Sequence, residues 1–145
     1  DRHLPQVHPR LVGWTLDPVE AGNWRPANRF DESDRQAPGF RPLLQLQGAI
    51  TLSRRVAIDA GRETIVLWFG RPEGVTATGK FEVLVDGRRV LRAAIPGPPA
   101  SEEAVPVEIA LAAHAGRTVE LTVRLDPGGK PGLVDWRGMT QRAER

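Results

Sequence analysis

The clearest pattern along the chain is the alternation of apolar and polar residues with a period of two. Phe81–Val85 places an apolar side chain at every odd position, the dipeptide Asp86-Gly87 follows directly, and a second apolar run returns after it. Asp-Gly between two apolar runs is a strong hairpin signal, because Gly adopts positive φ without steric cost and Asp tolerates it. The segment Gly79–Ile95 therefore predicts a β-hairpin, around which the other strands are expected to assemble.

Further segments show the same period. Thr118–Leu125 alternates strictly, and Leu43–Ser53 alternates around Gly48, which is the expected position of a bulge or bend. Glu63–Gly70 contains a continuous apolar run, which is typical of a central strand covered on both faces, so we expect Trp68 to lie in the core. About eight strands without a convincing amphipathic helix predict an all-β fold, an antiparallel β-sandwich.

The length of 145 residues predicts one domain spanning residues 1–145. Between Asp17 and Pro42 the chain is interrupted by several Pro and Gly residues and nothing alternates for long, so we expect a long loop at about 17–42. Its aromatic residues argue against disorder, because they give the loop something to bury. The charged tail at about 140–145 is expected to fray.

The amino-acid composition argues against several classes of function. The chain has no Cys, which excludes disulfides, thiolate catalysis and thiolate metal sites, and its three His are too dispersed for a zinc site. The net charge is only +2, and the Arg residues are scattered among acids rather than interleaved with aromatics, so a nucleic-acid partner is not expected. No apolar run is long enough for a membrane-spanning helix.

No arrangement in the sequence indicates catalysis. The three Ser residues have no Gly-x-Ser-x-Gly context, and Glu102 and Glu103 are adjacent on a predicted loop, whereas glycosidases need two carboxylates that face each other across a cleft. The Gly-rich segment Gly128–Gly132 lacks the spacing of a phosphate-binding loop and predicts a turn. We therefore expect no enzymatic activity.

From residue 80 to residue 136 the order of features is more specific. The strand Phe81–Val85 leads into Asp86-Gly87-Arg88, Ala115–Leu121 introduces a later strand, and a Gly-rich turn leads to Val134-Asp135-Trp136. This order resembles the galactose-binding-like jelly-roll domain, and in particular the NPCBM-type carbohydrate-binding modules attached to glycosidases. The resemblance does not extend to residues 1–42, and Arg137-Gly138-Met139 replaces the apolar-aromatic strand that usually follows the closing Asp-Trp.

The resemblance implies a jelly-roll sandwich that serves as a non-catalytic, carbohydrate-binding accessory module of a larger, exported protein, in an extracytoplasmic location. Sugar rings present C–H faces that stack on aromatic planes, so a Trp on a loop commonly makes this contact in a carbohydrate-binding site. We expect Trp24 to stack on the ligand, Arg25 or Asp31 to donate or accept hydrogen bonds with it, and Trp14 to contribute a second surface. The alternative is that each Trp covers the core below the long loop.

Two further alternatives concern the metal and the partner. We expect no cofactor or metal, because the Arg residues of the long loop lie close enough to pair with its acids, and a structural calcium held by its acidic and amide groups is the alternative. The partner is either a carbohydrate or a neighbouring protein domain. In the second case, the chain is a structural or protein–protein interaction domain without a sugar ligand.

Overall fold

The structure is a computed structural model that describes residues 13–17, 24–30, 40–72, 79–97, 106–130 and 132–143. These residues form ten β-strands and a three-residue 3₁₀ helix, Ala112–His114. The strands are β1 (Thr15–Asp17), β2 (Trp24–Phe30), β3 (Phe40–Leu46), β4 (Ile50–Ala57), β5 (Thr64–Gly70), β6 (Lys80–Val85), β7 (Arg88–Ala94), β8 (Val107–Ala110), β9 (Thr118–Asp126) and β10 (Gly132–Arg142). No helix of the described residues is long and apolar enough to cross a membrane.

The strands make two five-stranded antiparallel sheets. The first sheet has the order β1-β4-β9-β6-β7 and the second the order β2-β3-β10-β5-β8. The predicted antiparallel sandwich is confirmed. The predicted hairpin is β6–β7, in which Asp86 and Gly87 both have positive φ, at 50° and 82°. The Asp86 carboxylate also accepts a hydrogen bond of 2.8 Å from the backbone N–H of Glu120, which ties the turn to β9.

The core lies between the two sheets and is built from the residues that alternate inward. On β9, Val119, Leu121, Val123 and Leu125 are buried while most residues between them are exposed, as the sequence pattern predicts. Aromatic residues join the sheets. Trp136 of the second sheet packs edge-to-face on Trp14, which precedes β1, with ring centroids 5.2 Å apart, and Phe69 packs on Phe81 at 5.0 Å in the same geometry.

The predicted long loop at about 17–42 is wrong in part. Within it, Trp24–Phe30 forms β2, which pairs antiparallel with β3 along its whole length. Pro26 and Pro42 interrupt the alternation there, but both occupy positions where a sheet tolerates Pro. β2 is an edge strand, and Pro42 lies beyond the stretch of β3, Leu44–Leu46, that pairs with β10.

The predicted frayed tail at about 140–145 is also wrong for its first half. β10 continues to Arg142 and pairs with β5 up to the Arg142–Thr64 position. The side-chain amide of Gln141 donates a hydrogen bond of 3.1 Å to the Ala57 carbonyl, and Arg142 forms an ion pair with Glu108. Sheet pairing and these side-chain bonds order residues whose charged sequence alone indicated a loose end.

Gly70, the last residue of β5, is where the connection after β7 packs directly on the second sheet. The backbone N–H of Arg71 donates a hydrogen bond of 2.9 Å to the Pro96 carbonyl. A Cβ at Gly70 would collide with the carbonyl oxygen of Gly97 and lie 2.9 Å from that of Pro96. The absence of a side chain therefore allows this connection to cross the end of the second sheet.

We expect Gly70→Ala to lower the free energy of unfolding by about 1–3 kcal/mol, because the added methyl group forces two backbone segments apart. Gly129→Ala is the matched control, since no atom lies within 4 Å of the position of its Cβ. Urea unfolding of the two variants measures the difference. Equal stabilities would show that the connection moves aside without cost.

Candidate functional site

The outer face of the second sheet carries an exposed Trp. On β5, Ile65, Leu67 and Phe69 belong to the core, so Trp68 points to the other side of the sheet, where it is 37% exposed. The prediction that Trp68 is a core residue is therefore wrong. The continuous apolar run hid the alternation of the strand, because Val66, which also alternates with the core residues, is apolar too.

The indole of Trp68 is held in place by β10. Its Nε1 donates a hydrogen bond of 3.0 Å to the hydroxyl of Thr140. Trp68 pairs across the sheet with Gly138, at a bulge where the register shifts after Trp136, and Gly138 has no side chain that could cover the ring. Because the N–H of the indole is already bonded to Thr140, the remainder of its exposed surface is apolar ring.

Beside the bulge lies a fixed guanidinium. Arg137 binds the carboxylate of Asp135 through two of its nitrogens, with N–O distances of 3.1 to 3.3 Å. The Asp135 side chain is only 4% exposed, whereas that of Arg137 is 30% exposed. Asp135 pairs with Gly70 across the sheet, so this pair lies at the end of the face where Pro96 and Gly97 cross. The remaining N–H groups of the guanidinium are donors at a defined position, one residue before the Gly138 that stands opposite Trp68.

A second ion pair closes the opposite end of the face. Arg142 on β10 stands opposite Thr64, and Glu108 on β8 stands opposite Val66, so their contact crosses over β5. This explains why Thr64 and Val66 are only 6% and 2% exposed although they point away from the core. Trp68 is thus the open apolar surface between two charged pairs, and we call this surface the Trp68 face (Trp68, Asp135, Arg137, Thr140, Arg142 and Glu108).

Three of the four site residues expected from the sequence lie on other elements. Trp14 is 5% exposed, with its ring against Trp136 and the Arg54 guanidinium 5.9 Å from its centroid, so it is a core residue as the alternative interpretation has it. Trp24 and Arg25 lie on the edge strand β2, where their backbones pair with Leu46 and Gln45. Asp31 lies outside the described residues, so no gathering of these four residues is observed.

No metal is expected from the sequence, and the alternative, a structural calcium, stays a prediction. Most of the acidic residues on which it rests lie outside the described residues. Within the part of the chain that the structure describes, no group of three or more His, Cys, Asp or Glu side chains could hold a metal ion.

Comparisons with known proteins show what the fold resembles. No family model matches the sequence, and no curated protein sequence matches it. Among solved structures, TmCBM61 in complex with β-1,4-galactotriose is 16% identical, with a TM-score of 0.52 over 86% of this chain and 91% of that one. CsCBM6-3 from Clostridium stercorarium, in complex with cellobiose, is 11% identical, with a TM-score of 0.50 over 90% of this chain and 87% of that one.

A third similar structure is the enzymatically active domain of tailspike protein 4 of bacteriophage CBA120, at 9% identity and a TM-score of 0.50, where the match covers 90% of this chain and 20% of that one. At such low identities these likenesses show the fold alone. They confirm the predicted jelly-roll architecture, which this chain shares with carbohydrate-binding modules.

We expect the Asp135–Arg137 pair to be coupled more strongly than a surface pair, because its carboxylate is buried and bound by two guanidinium nitrogens. Double-mutant cycles with Ala at both positions should give a coupling free energy above about 1 kcal/mol. The matched control is Glu82–Arg124 on the first sheet, with one N–O distance of 3.5 Å and side chains 24% and 48% exposed, which should give about 0–1 kcal/mol. A larger value for the control pair would contradict this ranking.

Proposed function

We propose that this chain is a non-catalytic carbohydrate-binding module that holds its ligand on the Trp68 face. The observation that supports this most is the exposed indole of Trp68, whose N–H is bonded to Thr140 while its ring lies between two polar pairs. Sugar rings bind such planes through their C–H faces, and the release of water from both surfaces favours the contact. The fold agrees with this proposal, since two similar structures were solved with bound oligosaccharides.

Hydrogen bonds beside the indole would orient the sugar. Arg137 donates from a position fixed by Asp135, and the Thr140 hydroxyl can both donate and accept. Each bond to a sugar hydroxyl replaces a bond to water, so its net gain is about 0.5–1.5 kcal/mol. We therefore expect weak binding that is selective for the arrangement of hydroxyls around one sugar face.

The segment around β2 is a second candidate location. Trp24 and Arg25, together with Asp31, remain the residues through which a ligand at this edge would be held, and a structural calcium would belong to the same part of the chain. Trp14 would support such a site from the core rather than touch the sugar, because its ring is buried. Variants at Trp24 and Trp68 separate the two locations.

The biological setting follows from the ligand class. Polysaccharides that serve as ligands of such modules lie outside the cytoplasm, so we infer an extracytoplasmic location and an accessory role within a larger protein. The alternative is a structural or protein–protein interaction domain, in which Trp68 would anchor a partner domain, since Trp is enriched among the residues that dominate protein interfaces.

The test is calorimetric titration with β-1,4-linked galacto- and cello-oligosaccharides, in calcium and in chelator. We expect Trp68→Ala to weaken binding at least about tenfold, which corresponds to about 1.4 kcal/mol, because the stacking surface is lost. Its melting temperature should change little, because the side chain lies outside the core cluster. Trp68→Phe keeps a ring without the N–H and should retain part of the affinity.

Trp24→Ala is the comparison variant. If it abolishes binding while Trp68→Ala does not, the ligand lies at β2 and the Trp68 face is not the site. If no sugar of the panel binds and calcium has no effect, the carbohydrate proposal fails, and the partner is sought among proteins.

A further inference from the structure

The outer face of the first sheet carries a cluster of charged residues on its last three strands. On β6, Glu82 stands between Arg92 of β7 and Arg124 of β9, and Lys80 stands opposite Asp126 of β9. These residues alternate with buried core residues such as Phe81 and Val83, so they point away from the core. We call them, together with Arg89, the arginine cluster (Lys80, Glu82, Arg89, Arg92, Arg124 and Asp126).

Positive charge is in excess in this cluster. It contains four basic side chains and two carboxylates, which leaves an excess of two positive charges. Glu82 is shared, since it lies 3.8 Å from Arg89 and 3.5 Å from Arg124. Arg92 has no ion-pair partner among the described residues, although it stands directly across the sheet from Glu82. The cluster thus has a guanidinium available to an anion.

A hollow lies among these side chains. It has a volume of about 60 Å³ and is lined by Lys80, Phe81, Glu82, Arg92, Arg124 and Asp126. Sites that enclose a whole small molecule have about 300–1,000 Å³. The hollow therefore suits one functional group of a larger ligand that lies along the sheet surface.

We propose that the arginine cluster binds the carboxylate groups of an acidic polysaccharide, at a site separate from the Trp68 face. Arg92 and Arg124 supply planar, paired N–H donors that match a carboxylate, and Lys80 adds a third positive charge. Glu82 and Asp126 can accept hydrogen bonds from the hydroxyls that a uronic acid residue carries beside its carboxylate. The mixed lining thus matches a charged sugar better than a simple anion.

Protection of a sheet edge and binding of a nucleic acid account for the cluster less well. Charges on an edge strand prevent sheets from pairing with one another, and β7 is such an edge. That role does not account for Arg124 and Lys80, which lie on the inner strands β9 and β6. A single-stranded nucleic acid would need aromatic platforms for its bases, and Phe81, the aromatic residue that lines the hollow, is only 3% exposed.

The experiment titrates the full chain with oligogalacturonate, with the methyl-esterified oligomer and with a neutral galacto-oligosaccharide. We expect the charged oligomer to bind at low salt, the ester to bind at least about tenfold more weakly, and added salt to weaken the binding of the charged oligomer. Arg92→Ala should reduce the affinity for oligogalacturonate about tenfold. Arg88→Ala removes an exposed Arg from the same strand outside the cluster and should leave the affinity unchanged.

This proposal takes its ligand class, a carbohydrate, from the function proposed above. The outcomes of the experiment distinguish a failure of one proposal from a failure of the other. Retained oligogalacturonate binding in Trp68→Ala supports an independent site, whatever happens to neutral sugars. The proposal is overturned if the charged oligomer does not bind, if Arg88→Ala and Arg92→Ala weaken binding equally, or if binding depends on Trp68 and not on Arg92. If the chain binds oligogalacturonate but no neutral sugar, the result contradicts the proposed site on the Trp68 face and leaves the arginine cluster supported.

Discussion

The burial of Trp136 between the two sheets determines which neighbouring side chains of β10 face outward. Its ring contacts Trp14 next to the first sheet and lies 5.4 Å from Phe69 on the neighbouring strand. Because side chains alternate along a strand, an inward Trp136 forces Asp135 to the outer face, and Arg137, the extra residue of the bulge, binds the Asp135 carboxylate. The same constraint on Phe69 turns Trp68 outward. The candidate sugar-binding surface is therefore a direct consequence of how the aromatic core is packed.

Those parts of the fold with an unbroken period of two could be predicted from sequence. Thr118–Leu125 is β9 almost to the residue, and Asp86-Gly87 makes the predicted turn. The strand Trp24–Phe30 could not be predicted in this way, because Pro26 breaks the pattern and the strand is defined by its pairing with β3 across an intervening segment. Long-range pairing also accounts for β10, whose charged end is ordered by β5 and by Glu108.

The candidate site was harder to predict than the fold, because it depends on which side chains are exposed, whereas the sequence shows only residue type. Trp14 and Trp68 are the same residue in comparable apolar surroundings, yet one is buried at 5% and the other is exposed at 37%. The alternation of side chains along β5 could have identified the exposed Trp. If Ile65, Leu67 and Phe69 face inward, Trp68 must face outward. The arginine cluster had no signal in sequence, because its members come from three strands that meet only in the sheet.

Because the Trp residues differ in exposure, the intrinsic fluorescence of the chain can report on two regions of the structure. Trp14 and Trp136 are in contact within the core, so their emission should respond to unfolding and to the separation of the sheets. Trp68 faces solvent beside Arg137, so its emission should respond to whatever covers the sheet surface. In a Trp24→Phe variant, which leaves these three Trp residues, fluorescence recorded at the blue and red sides of the spectrum would follow the integrity of the sandwich and the occupancy of its outer face in one sample.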